Sequence, residues 1–115
     1  MELIALLSSG KGTWGQVAGL INRGDWENII LIGSEFAEKF TTEKKHEFIR
    51  VKNSQISDLK KELQDKLQGK INGTEVALSI ASGDGKEHMA LISALLSLPV
   101  GIRFVALTRD GVIYF

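Results

Sequence analysis

The chain has 115 residues, a length that fits one domain with a single core. Its 14 basic and 14 acidic residues balance, so net charge does not draw it to nucleic acid, membranes or acidic substrates. The absence of cysteine excludes disulfides, thiolate metal sites and a thiol nucleophile, and two histidines do not favour a structural metal. The sequence has no signal-peptide pattern and no apolar run of bilayer length, so we expect a cytoplasmic protein without membrane contact or cofactor.

The first half of the chain predicts a β-α-β unit. Residues 3–7 and 29–32 are apolar runs, typical of strands buried on both faces. Between them, apolar residues recur at helical spacing at Trp14, Val17, Ala18 and Ile21. This helix is expected to end near Gly24. A weaker helix over residues 35–45 and a short strand at 48–51 follow.

The second half of the chain continues this alternation. Apolar residues at helical spacing predict a third helix with a solvated, charged outer face: Ile56, Leu59, Leu63 and Leu67. Gly69 is placed to stop that helix. Residues 75–81 predict a fourth strand, and a fourth helix ends before Pro99. Residues 102–107 predict a fifth strand, and Asp110-Gly111 indicates a hairpin into residues 112–115.

This order of elements predicts the fold. Because β-α-β crossovers are right-handed and a parallel sheet needs helices on both faces, we expect a Rossmann-like α/β fold over residues 1–115. Its doubly wound, mostly parallel sheet has the strand order 3-2-1-4-5-6 and a C-terminal antiparallel hairpin strand. In such a sheet a ligand crevice opens where the winding direction reverses, between the C-terminal ends of the first and fourth strands.

Loops with small residues, glycines and a lysine follow both of these strands. The residues predicted to bind a ligand are Ser8, Ser9, Gly10, Lys11, Gly12 and Thr13 in the first loop, and Ser82, Gly83, Asp84, Gly85, Lys86 and His88 in the second. Each loop leads into a helix with a capping-box pattern, Thr13-x-x-Gln16 and Asp84-x-x-Glu87. Two helix N-termini and two lysines therefore predict a site for an anion.

The first loop departs from the common nucleotide motifs. A Walker-type P-loop needs glycine where Ala5 stands and serine or threonine where Gly12 stands. The glycine spacing of the dinucleotide-binding pattern G-x-G-x-x-G is present at Gly10, Gly12 and Gly15, but no acidic residue is well placed to bind a ribose. A triphosphate site and a dinucleotide oxidoreductase are therefore disfavoured. The alternative that both loops are plain turns, with their lysines in solvent, stays open.

The whole chain, in the order and length of its elements, resembles the CARF family, the CRISPR-associated Rossmann-fold sensors of cyclic oligoadenylates. That family has small residues after its first strand, as at 8–10 here, and a glycine-rich loop with a Gly-Thr-Lys core after its fourth. In the matching segment SGDGKEHMA, residues 82–90, four residues fit the family pattern in kind: Gly83, Gly85, Lys86 and Met89.

The second loop also departs from the family pattern. Asp84 interrupts the glycine pair, Gly85 stands in place of the threonine, and two residues rather than one separate Lys86 from Met89. An acidic side chain in the loop weakens anion binding unless it turns back to cap the helix, as the capping box predicts.

The resemblance implies a homodimer in which two crevices meet across the two-fold axis and hold a cyclic oligoadenylate. Many members of the family carry a nuclease or DNA-binding module after the sensor domain. Residues 112–115 are too apolar for a free tail, so we expect a stand-alone sensor that does not itself bind duplex DNA. Two alternatives stay open. One is a metal-independent ring nuclease that slowly cleaves its ligand, with Lys11, Lys86 and His88 as candidate catalytic residues. The other is a non-catalytic subunit of a larger assembly.

Overall fold

The computed structural model describes residues 1–8 and 12–115. The strands are β1 (Glu2–Leu7), β2 (Ile29–Gly33), β3 (Glu47–Arg50), β4 (Glu75–Ser79), β5 (Gly101–Thr108) and β6 (Gly111–Tyr114). The helices are α1 (Trp14–Arg23), α2 (Ile56–Leu67) and α3 (Gly85–Ser97), with a short 3₁₀ helix η1 (Glu35–Lys39) between β2 and β3. No helix within the described ranges is long and apolar enough to cross a membrane.

All six strands form one sheet in the order β3-β2-β1-β4-β5-β6, and every neighbouring pair is parallel except β5 and β6. The predicted Rossmann-like, doubly wound α/β fold with a C-terminal hairpin strand is thereby confirmed. The winding direction reverses at β1, where Leu3 pairs with Ile29 of β2 on one side and with Ala77 of β4 on the other. The carboxyl ends of β1 and β4 are therefore neighbours.

Helices cover both faces of the sheet. α2 and α3 pack on one face, and α1 and η1 pack on the other. Along β1, Ile4 and Leu6 belong to the core under α2 and α3, while Leu3, Ala5 and Leu7 belong to the core under α1. Because side chains alternate between two buried faces, this strand is apolar at every position from 3 to 7.

Two predicted elements are shorter in the structure. The helix expected over 35–45 is only η1, which ends at Lys39, and the backbone of the following residue, Phe40, is extended. Phe36 and Phe40 pack against the Trp14 ring, each at a centroid distance of 5.8 Å. These aromatic residues cluster around one ring instead of forming a helical stripe, so no long helix forms. The fourth strand ends at Ser79, two residues before its predicted end.

The two edges of the sheet differ in charge. At the β3 edge, Glu47 pairs with Lys70 at 2.5 Å and Arg50 pairs with Glu38 at 3.0 Å. The β6 edge, in contrast, contains no charged residue between Gly111 and Tyr114. Charged side chains on an edge strand hinder its pairing with another chain. The β6 edge lacks that protection.

Glu2 is a buried acidic residue at the amino-terminal end of β1, and the predicted crevice lies at the other end of the parallel strands. Its Oε1 atom accepts hydrogen bonds from the backbone N–H groups of Asn72 at 2.9 Å and Gly73 at 2.8 Å. Its Oε2 atom accepts one from the Asn28 side-chain amide at 3.2 Å. One carboxylate therefore ties the start of β1 to the turn before β4 and to the residue before β2.

We expect Glu2→Ala to lower the free energy of unfolding by about 1–3 kcal/mol, because it leaves the Asn72 and Gly73 amides without their acceptor. Glu2→Gln should cost less, since its amide oxygen can still accept from both. Urea denaturation measures the difference, with the exposed Glu43→Ala as control. An equal loss for Glu2→Ala and Glu43→Ala would contradict the anchoring role of Glu2.

Candidate functional site

The loops after β1 and β4 meet at one hydrogen bond. The Ser8 backbone N–H donates to the Ser82 hydroxyl oxygen at 2.7 Å, although 74 positions separate the two residues. Ser82 is buried, whereas Ser8 is only partly buried, so the contact lies at the base of the two loops. The two loops predicted from the sequence therefore begin side by side at the reversal of the sheet.

A cleft of about 320 Å³ opens beside this contact. It lies at the carboxyl ends of the parallel strands. The residues that follow β1 to β4 and the starts of α2 and α3 bound it. The lining residues are Ser8, Ser34, Val51, Lys52, Asn53, Leu59, Gly83, Asp84 and Glu87. This is the position where doubly wound sheets bind ligands.

The predicted site residues divide into four groups. Ser8, Gly83 and Asp84 line the cleft, and Ser82 supports it from behind. Gly85, Lys86 and His88 lie in the first turn of α3 and do not line the cleft, although Lys86 contacts Asn53 of its wall and His88 contacts Ser82 behind it. Gly12 and Thr13 are exposed before α1 and do not line it. The predictions for Ser9, Gly10 and Lys11 fall outside the described residues.

The capping box at the start of α3 is confirmed. Asp84 Oδ1 accepts from the Glu87 backbone N–H at 2.8 Å, and Glu87 Oε1 accepts from the Asp84 backbone N–H at 2.9 Å. Each carboxylate thus engages the other residue's amide, as a capping box requires. The cleft nevertheless contains two negative charges beside the positive end of the α3 dipole.

The capping box predicted at the start of α1 is wrong. Thr13 makes no side-chain hydrogen bond to the helix. Gln16, its expected partner, instead accepts from the Leu107 backbone N–H at 2.5 Å with its side-chain oxygen. The amide of Gln16 therefore fastens α1 to β5, a contact between residues 91 positions apart that local spacing does not reveal.

Trp14 supports the first loop. Its indole N–H donates to the Ser8 carbonyl oxygen at 3.2 Å, while its ring packs against Phe36 and Phe40. The ring is partly buried and packs against the core under α1. Trp14 thus positions Ser8, which lines the cleft.

His88 supports the second loop. Its Nε2 atom lies 2.9 Å from the Ser82 carbonyl oxygen. A carbonyl only accepts, so Nε2 carries the proton and donates this bond. The same nitrogen lies close to Gly83, whose φ of +102° favours glycine, and a Cβ there would come within 3.1 Å of it. His88 therefore holds the turn at Gly83.

Lys86 contacts the segment between β3 and α2. Its ammonium group donates to the Asn53 side-chain oxygen and to the Ser54 carbonyl oxygen, each at 2.7 Å. Both acceptors are neutral, so they do not cancel its charge. None of the ion pairs in the described part of the chain involves Lys86 or Lys52.

Sequence reasoning missed the polar residues that follow β2 and β3. Ser34, Lys52 and Asn53 line the cleft because the carboxyl ends of all the parallel strands lie at the same edge. The available signal was the position of Ser34 and of the Lys52-Asn53 pair directly after apolar strands. That signal is weak, because polar residues follow most strands.

Glu62 of α2 supports the segment after β3. Its Oε1 atom accepts from the Lys52 backbone N–H at 3.2 Å, and its Oε2 atom pairs with the Lys66 ammonium at 2.8 Å. Burial of this carboxyl raises its pKa, but the hydrogen bonds and positive charges of Lys66 and Lys52 together outweigh burial and lower the pKa. Glu62 is therefore an ionised acceptor behind the cleft wall.

Comparison with models of known protein families and with curated protein sequences gave no match. The residues of the cleft itself therefore carry the argument about function.

Proposed function

We propose that the chain is a nucleotide sensor of the CARF type that binds a phosphate-bearing ligand, with a cyclic oligoadenylate as the leading candidate, in this cleft as a homodimer. The observation that carries the proposal is the junction of two small-residue loops at the Ser8–Ser82 hydrogen bond, beside the N-terminus of α3. The second loop faces the cleft at Gly83, which has no side chain. A cytoplasmic location remains part of this proposal.

The size of the cleft supports a shared ligand. A volume of about 320 Å³ is at the lower end for small-molecule pockets, which begin at about 300 Å³. A ring of several nucleotides exceeds that space. Two copies around a two-fold axis would supply two clefts and double the donors for one cyclic polyanion.

An exposed apolar surface supports the dimer. Phe104 pairs with Leu78 of β4, so it lies on the α2 and α3 face of the sheet. Ile113 lies on the same face because it pairs with Ala106, two residues after Phe104 on β5. Phe115 follows Ile113 by two residues, and its N–H donates to the Phe104 carbonyl oxygen at 2.9 Å. These three side chains thus form one row across the hairpin.

The row continues onto α3. Met89 and Leu96 recur at helical spacing with Ile92, which packs on the core together with Ile102 of β5. Met89 and Leu96 are each 60% exposed, and Phe115 is 75% exposed. We call the five residues Met89, Leu96, Phe104, Ile113 and Phe115 the apolar surface.

This apolar surface has the area and composition of an interface. Its side chains expose roughly 500 Å² per copy, so a two-fold contact that covered all of them would bury at most about 1,000 Å², the lower limit for a specific interface. None of the five residues is charged, so the surface fits a second copy of itself. Phe115 is too exposed to belong to the core, so we propose that it lies in this interface.

Ring cleavage has less support among the described residues. His88 Nε2 donates to the Ser82 carbonyl, and the Lys86 ammonium donates to Asn53 and Ser54. Both candidates therefore act on the protein backbone or on a neighbouring side chain in this structure. We propose ligand binding without assigning a catalytic residue.

Isothermal titration with cyclic tetra-adenylate and cyclic hexa-adenylate tests ligand binding directly. We expect saturable heat with at least one ring, and an affinity that falls as salt is raised, because phosphate contacts are screened. The absence of heat with both rings at micromolar protein would contradict the proposed function.

Asp84→Asn should strengthen that binding. Asparagine caps a helix about as well as aspartate, so α3 keeps its capping bond while one negative charge leaves the cleft wall. We expect affinity to rise about two- to fivefold at low salt, the size of a single charge effect near a protein surface. Asp65→Asn, on the outer side of α2, is the charge-matched control and should leave affinity unchanged. Equal affinities of Asp84→Asn and Asp65→Asn would place the anion elsewhere.

Leu96→Glu should convert a dimer into a monomer, because it places two like charges in a desolvated contact. Sedimentation velocity over a range of concentrations measures the oligomeric state, and circular dichroism checks the fold. The matched control is Ile56→Glu, which changes an apolar side chain that is 38% exposed on α2, outside the apolar surface. A wild-type protein that stays monomeric would contradict the homodimer and favour the larger assembly.

A further inference from the structure

The segment of residues 51–54, between β3 and α2, forms one wall of the cleft. Val51, Lys52 and Asn53 line it, opposite Gly83 and Asp84. Lys52 is exposed, whereas Val51 is buried. The segment therefore brings a cationic side chain to the cleft from an anchored backbone.

Hydrogen bonds from neighbouring elements hold the start of this segment. The Val51 N–H donates to the Gly33 carbonyl oxygen of β2 at 2.9 Å, and the Lys52 N–H donates to Glu62 of α2 at 3.2 Å. Just before it, the Lys66 ammonium donates to the Arg50 carbonyl oxygen at 2.6 Å. The backbone at Lys52 is thus fixed on both sides.

Lys86 holds the other end of the segment. It reaches from the first turn of α3 to the Asn53 side chain and the Ser54 carbonyl, at 2.7 Å each. A move of this ammonium towards a ligand would break both bonds. These bonds have the short length of charge-assisted contacts, which are about twice as strong as neutral ones.

We propose that Lys52 is the cation that contacts the phosphate groups of the ligand, and that Lys86 is a positioning residue that holds the 51–54 segment against the cleft. Only the role of Lys52 rests on the proposed function, whereas the positioning role of Lys86 does not depend on it. It assigns to Lys52 the contact that the sequence suggested for Lys86.

The charges around Lys52 fit this role. Glu62 faces it from α2, and the Asp84 and Glu87 carboxylates engage each other's amides in the capping box. Glu62 also accepts from Lys66, so its negative charge is shared between two lysines. None of the ion pairs among the described residues holds the Lys52 ammonium, so it can pair with an arriving phosphate.

Titration with cyclic tetra-adenylate separates the two roles. We expect Lys52→Gln to weaken binding about tenfold and to reduce its salt dependence, because a charge contact is lost. Lys86→Gln and Asn53→Ala should each weaken binding about threefold, and the double variant should weaken it no further, since both changes break the same contact. Lys61→Gln, an exposed charge change on α2, is the control and should bind as wild type.

Two outcomes would overturn the assignment. If Lys52→Gln binds as tightly as Lys61→Gln, Lys52 does not contact the ligand. If Lys86→Gln weakens binding while Asn53→Ala leaves it unchanged or strengthens it, Lys86 contacts the ligand itself.

Hydrogen exchange of the ligand-free protein tests the positioning role without any ligand. The Val51 and Lys52 amides, which donate to Gly33 and Glu62, should exchange faster in Lys86→Gln and Asn53→Ala than in wild type, and should be unchanged in Lys52→Gln. Unchanged exchange in Lys86→Gln would overturn the positioning role. A wild-type protein that binds no cyclic tetra-adenylate would overturn the role of Lys52 together with binding of that ring, while the exchange data decide on Lys86 separately.

Discussion

The hydrogen bond from the Ser8 amide to the Ser82 hydroxyl is the contact on which the site depends. It forms because β1 and β4 are neighbours in the sheet while their chain connections run in opposite directions. A buried hydroxyl without a hydrogen-bond partner costs free energy, so this pairing fixes the position of one loop relative to the other. The position of the cleft follows from it, since Ser8 and Gly83 line the cleft from these two loops.

Around this contact, the side chains that look most suited to chemistry are occupied with structure. His88 fixes the turn at Gly83, Lys86 fixes the segment after β3, and the Asp84 carboxylate caps α3. Such a site is preorganised, because its walls are held before any ligand arrives. Among the described residues that line the cleft, Lys52 supplies a positive charge and Gly83 supplies backbone without a side chain. That set suits binding of a phosphate better than proton transfer or nucleophilic attack.

The sequence was sufficient for the sheet order and for the capping box of α3, and it identified part of the cleft lining at Ser8, Gly83 and Asp84. These features depend on patterns within single elements: apolar runs, helical spacing and the Asp84-x-x-Glu87 motif. It was insufficient for the partners of Gln16 and Lys86, which lie 91 and about 33 positions away. Such contacts are set by how elements pack, and one residue in a local motif carries no sign of them. The same reason explains why Lys52 was missed.

The contrast between the guarded β3 edge and the uncharged β6 edge limits how copies of this chain can associate. Lateral growth of the sheet can occur on one side only, and a two-fold contact there leaves both outer sides guarded. Pairing of two β6 edges would therefore close after two molecules instead of propagating into a fibre.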